Sequence, residues 1–157
     1  MTEISSEVVH FFNKEHFVIM ATLDKSGTIH TSAKGILEIG DRGKIFILDL
    51  YKGRTYQNIK NNPNVNLTLV DERRFMGYSI KGKARIVKEG LISKKRLELW
   101  HDKLAKRIAR RVIRHVKSPG TGSEGIPEAG FPMPKYLIEV SADKVISLTP
   151  GRLKRGR

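Results

Sequence analysis

The chain has 157 residues, 39% of them hydrophobic, a formal net charge of +14 and no cysteine. That length suits one domain with a sizeable core, and the missing cysteine excludes disulfides, thiolate catalysis and cysteine-held zinc or iron–sulfur clusters. No apolar run approaches the ~20 residues of a membrane span, the N-terminus lacks a secretory pattern, and the five histidines show no metal-ligand spacing, so a soluble cytoplasmic protein without a metal is expected.

An N-terminal helix is expected around residues 3–14, followed by a short strand "HFVIMATL" at 16–23 and the turn "DKSG". "TIHTSAKGILEI" reads as a second strand interrupted by Gly35, and "GDRG" turns the chain into a third, "KIFILDL". A helix over about 54–61 ends before Pro63 and hands over to "VNLTLV", where Val65, Leu67 and Leu69 alternate. After a polar connection at 71–76 comes the long strand "GYSIKGKARIVK", in which Ile80, Ala84 and Ile86 share a side and Gly77 and Gly82 suggest bulges. Residues 91–116 read as a helix with the apolar stripe Leu97, Trp100, Leu104, Ile108, Val112 and Val116 packed against the rest. A Gly- and Pro-rich stretch at 118–134 is either a lid or a simple connection. It leads to two short final strands, "KYLIEVS" and "KVISLT", and the basic tail 149–157. Residues 1–148 are expected to form one small antiparallel barrel flanked by helices.

The stretch "LYKGRTYQNIKNNPNV" carries the chemical signal. A helix opening there exposes unpaired N–H groups and the positive end of its dipole; Gly53 permits close approach, and Arg54 and Thr55 add side-chain donors. Such a site suits a phosphate, although the same residues also read as ordinary capping beside a solvated arginine. Basic residues cluster elsewhere: 91–117 holds ten Lys or Arg against two acids, and 149–157 four against none. Nucleic acid, an anionic membrane or an acidic protein are physically plausible partners for such a balance. No carboxylate pair stands out for acid–base work.

In order, "MATLDKSGTIHTSAKG", "GKIFILDLYKGRTYQNIKNNPNVNLTLV" and "YSIKGKARIV" resemble the pyridoxamine 5'-phosphate oxidase-like family of FMN-binding split barrels over about residues 8–90. "KYLIEVSADKVISL" is similar to that family's last strands. The resemblance implies a six-stranded antiparallel split β-barrel and a homodimer with FMN in clefts between subunits. It also implies oxidoreductase activity on a small substrate, with reduced nicotinamide as a candidate donor. By the same resemblance Thr31, Ser32 and Lys34 line the strand beneath the flavin, while Lys52, Gly53, Arg54, Thr55 and Asn58 surround its phosphate. Phe75 and Tyr78 either lean toward the partner's flavin or pack in the sheet, and Trp100 is either core or near the flavin's open face. Deazaflavin or haem in the same cleft are alternative cofactors. Where the true oxidases carry a Ser-Arg-Lys triplet, this chain has Gly53-Arg54-Thr55. It also lacks their C-terminal Trp and paired Arg, so pyridoxamine phosphate oxidation itself is not expected. A second class, a basic flavin-binding module that holds nucleic acid or another polyanion without turnover, uses the 91–116 helix and the tail.

Overall fold

The computed structural model describes residues 2–15, 17–117 and 127–151. His16, residues 118–126 of the expected lid or connection, and 152–157 of the basic tail lie outside them.

Helix α1 (Ser6–Lys14) is capped by Ser5, whose hydroxyl accepts the Val8 amide at 3.4 Å. The strands are β1 (Val18–Leu23), β2 (Ile29–Lys34), β3 (Ile36–Ile39), β4 (Lys44–Asp49), β5 (Asn64–Asp71), β6 (Met76–Lys88) and β7 (Tyr136–Ser147). Helix α2 (Arg54–Asn61) links β4 to β5, and α3 (Lys94–Lys117) follows β6. All strand pairs are antiparallel, in the spatial order β2-β1-β5-β6-β7-β4-β3.

The two edge strands of this order, β2 and β3, are separated in the chain by Gly35 alone. Since consecutive Cα atoms lie ~3.8 Å apart, a sheet whose edges are joined by one residue must curl until those edges meet. They meet without pairing, which gives the half-barrel its split. The split-barrel class read from the sequence therefore holds, with seven strands rather than six, because Gly35 divides the second strand into β2 and β3.

Alternation along the strands fills the barrel with Met20, Ile45, Ile47, Leu67, Ile80 and Ile138, and α1 closes it with Phe11 and Phe12. A second cluster lies outside the barrel wall, where Phe46, Leu48 and Leu137 face the first turns of α3 through Leu97 and Trp100. Strand β4 is thus covered on both faces, which is why "IFIL" is an unbroken apolar run rather than an alternating one.

Two expectations are corrected. The predicted last two strands are one strand, β7: its pairing with β6 slips between Lys81 and Gly82, where Asp143 is the extra residue of a bulge. The break expected between them, at Ala142-Asp143, is this irregularity. The α3 stripe also packs only at its N-terminal end: no α3 residue is fully buried, and Val112 and Val116 are exposed.

Gly82 sits opposite the bulge, where an added Cβ would lie 2.3 Å from the Ser141 carbonyl oxygen. Gly82→Ala is expected to lower stability by about 1–3 kcal/mol. Gly90→Ala, whose Cβ would meet nothing within 4 Å, should change it far less. Urea midpoints of the two variants measure the difference.

Candidate functional site

Strand β4 ends at Asp49, and the chain turns through Tyr51 and Lys52 into α2. Its N-cap is Gly53, at φ −92° and without a side-chain capping bond. The first intrahelical bond runs from Gln57 N to the Gly53 carbonyl at 3.2 Å, so the amides of Arg54, Thr55 and Tyr56 precede the ladder. A Cβ built at Gly53 would meet nothing within 4 Å, and its φ lies outside the left-handed region. Neither packing nor backbone strain within the protomer calls for glycine there.

Thr55 is buried, and its hydroxyl lies 3.0 Å from that of Ser32 on β2. Two residues along the same face of β2, Lys34 Nζ is 2.6 Å from Asp49 Oδ2, with both side chains largely shielded from solvent. The Tyr136 hydroxyl donates to the same oxygen at 2.5 Å, and Leu50 N donates to Asp49 Oδ1 at 3.0 Å. Asp49 and Tyr136 are directly paired across β4 and β7, so Lys34 ties the β2 edge to the far side of the split. Burial, reinforced by the hydrogen bond to Asp49, pushes the Tyr136 phenol far above its ordinary value.

Beyond Lys34 and Asp49 opens a cavity of about 460 Å³, within the usual size of small-molecule pockets. Trp100 and Phe131 give it aromatic walls; Lys103, Lys106, Arg107 and Arg110 project into it from one side of α3. With Lys34 these cations outnumber the two acids of the lining, Glu15 and Asp49, so the cavity favours an anionic ligand. The Lys103 ammonium donates to the carbonyls of Ile36 and Leu37, and desolvation holds it below the usual lysine range. Arg107 stacks on Phe17 at 4.7 Å and, with Arg111, holds Glu128. Glu128 is 2% exposed. Burial alone would raise its carboxyl; the hydrogen bond from Arg111 outweighs that and keeps it below its ordinary value.

Ser32 and Thr55 touch at the start of α2, and Lys34 lies two residues further along the same face of β2, in the cavity lining; Lys52, Gly53 and Arg54 are not part of that lining. Lys52 lies over the Tyr56 ring at 5.4 Å. Arg54 is exposed and close enough to Asp24 to add to the lowering of that carboxyl, most of which comes from the Ser26 hydroxyl. Thr31 lies on the opposite, outward face of β2, across from Ala21. The buried Asn58 donates its side-chain amide to the Thr22 hydroxyl at 3.0 Å and is committed to the barrel wall. Tyr78 is core: it packs edge-on against Phe11 and donates to Glu7. Phe75 is exposed, at a left-handed φ of 51°. Asp49 and Tyr136 escape sequence reasoning; the one signal for Asp49 is a lone carboxylate ending an apolar run.

A family model described as pyridoxamine 5'-phosphate oxidase matches residues 4–123. The chain belongs to that family. Among relatives of this oxidase-like chain, an uncharacterised protein of Methanocaldococcus jannaschii, MJ0282, is 32% identical over 92 residues, 57% of this chain. The match spans 60% of that relative's length. The fold is shared with HupZ of Group A Streptococcus, at TM-score 0.63 and 20% identity, covering 94% of this chain and 96% of that one. It is also shared with a pyridoxamine 5'-phosphate oxidase-related, FMN-binding protein of Nostoc punctiforme, at TM-score 0.56 and 13% identity, covering 90% and 80%.

Because Tyr136 keeps its proton when folded at a pH where the unfolded chain loses it, its contribution to stability is complete below pH ~10 and declines above that. The slope is up to about 1.4 kcal/mol per pH unit. Urea midpoints between pH 9 and 11 should fall more steeply in the wild type than in Tyr136→Phe; equal slopes would contradict the assignment.

Proposed function

We propose that the chain binds FMN in this cleft and acts as an FMN-dependent oxidoreductase on a small anionic substrate. The observation that carries this reading is the uncapped start of α2 beside Ser32 and Thr55, continuous through Lys34 with the aromatic and cationic cavity. The 5'-phosphate would take the amides of the first α2 turn, the Arg54 guanidinium and the hydroxyls of Ser32 and Thr55, with Lys52 adding charge in place of the second cation of the oxidase triplet. Bound FMN would supply the hydride- and electron-accepting chemistry, so no protein nucleophile is required. The chain's own residues would bind and orient it. Lys34, held by Asp49, would present positive charge to the ring, and the α3 cations would draw in the anionic substrate.

The reading includes a homodimer. The outward faces of β2, β1 and β5 carry Ile29, Thr31 and Ala33, then Ile19, Ala21 and Leu23, then Asn64, Asn66, Thr68 and Val70, without one charged side chain. In a chain that is 29% charged, an uncharged outer sheet face suits a second copy of itself. Exposed Phe75, next to that face on the β5–β6 connection, is in reach of such a partner's cleft.

Arg54→Ala combined with Thr55→Ala should weaken FMN binding by about 2–4 kcal/mol, measured by quenching of flavin fluorescence on titration. Unchanged affinity refutes the phosphate assignment. An absorbance spectrum of the purified protein separates flavin from deazaflavin and haem, and bleaching by an added reduced nicotinamide identifies a donor. The wild type should sediment at twice 17.8 kDa and Ile19→Asp at the monomer mass; a flavin-loaded wild-type monomer counts against the shared cleft.

A further inference from the structure

Helix α3 keeps its expected inward face only over its N-terminal half. Trp100, Lys103, Leu104 and Arg107 recur at spacings of three and four and face the cavity, with Arg111 reaching Glu128 on the same side. At about 100° per residue, the side opposite Arg107 carries a second stripe with the same spacing: Ala105, Ile108, Ala109, Val112, Ile113 and Val116. This second stripe points away from the barrel. Val112 is 45% exposed, Ile113 52% and Val116 76%. One margin of the stripe is bordered by Lys106 and Lys117, with Arg110 further round toward the cavity; Arg114, seven residues from Arg107, stands on Arg107's side of the helix. The two acids of the helix, Glu98 and Asp102, both precede the stripe.

We propose that the C-terminal half of α3 is a docking face for an anionic phospholipid surface, with the aliphatic stripe lying in the headgroup boundary and the bordering cations meeting lipid phosphates and carboxylates. The inference stands independently of the flavin reading. Charge decides among occupants. A second α3 would set a helix of ten cations and two acids against its like. A nucleic acid would match the cations and leave the stripe facing polar backbone. An anionic bilayer satisfies both at once: apolar burial for the stripe, and attraction for basic side chains whose stems can reach along it to the headgroups. The stripe lies opposite the barrel, so among the described residues nothing of the barrel stands between it and a flat surface.

The test is co-sedimentation of the full-length protein with phosphatidylcholine vesicles, with and without phosphatidylserine, at low and physiological salt. Phosphatidylserine should raise the bound fraction at least about tenfold at low salt, and salt should reduce it. Val112→Asp with Val116→Asp should lower vesicle affinity by roughly tenfold, and Lys117→Glu alone should lower it severalfold. None of these three residues lines the cleft, so FMN titration and circular dichroism should match the wild type and confirm folding. Binding indifferent to phosphatidylserine, or absent, overturns the proposal. So does a halved sedimentation mass in Val112→Asp/Val116→Asp, which reassigns the stripe to a second copy. A gel shift with nucleic acid that survives the same substitutions, in the absence of vesicle binding, reassigns the cations to a polyanion.

Discussion

One covalent constraint organises this protein: Gly35 joins the last residue of one sheet edge to the first residue of the other. Every strand between those edges must share the curvature that brings them together, and the interior that results is filled from every strand but β2. Because the edges touch without pairing, the barrel keeps a seam, and Lys34, the residue immediately before Gly35, stands at it. The same constraint that closes the sheet therefore delivers a cation to the mouth of the cleft.

What holds Lys34 there is a shielded carboxylate from across the seam. A largely buried ion pair is weak evidence of net stability, because desolvation opposes the Coulombic gain. Its geometry has a clearer consequence. Asp49 receives Lys34, the Tyr136 hydroxyl and its neighbour's amide, so β2, β4 and β7 are registered to one another at a single point. That point separates the α2 opening, which offers amide and hydroxyl donors, from the aromatic and cationic cavity beneath α3. A ligand with a phosphate at one end and a planar ring at the other matches the sequence of chemistries along this path.

The excess of positive charge divides in the same way. Arg96 is paired with Glu38, and Arg107 and Arg111 with the buried Glu128, so part of the basic helix serves to fasten it to the barrel. Lys103 and Lys106 colour the cavity. Lys117 borders an exposed aliphatic stripe. Net charge alone makes any polyanion a candidate partner; the side of the helix on which each cation stands is what distinguishes the possibilities.

The sequence by itself determined the elements and the class. The alternation of Val65, Leu67 and Leu69, the apolar run before Asp49, and the Gly-Arg-Thr opening of α2 are each encoded within a few neighbouring residues, where period and turn chemistry can be read directly. The order of family-like segments extended that reading to a split barrel and to Ser32, Lys34 and Thr55. Tertiary structure alone decided which partners those residues keep. Lys34 and Asp49 are 15 positions apart and Asp49 and Tyr136 are 87, and their meeting depends on strand order, which no local period carries. The bulge at Asp143 looks like a break between two strands until β6 is laid beside it. The drift of the α3 stripe was equally illegible: Leu97, Trp100 and Leu104 turn inward as their spacing suggests, and only the cavity and the Glu128 anchor show that Val112 and Val116 have wound outward.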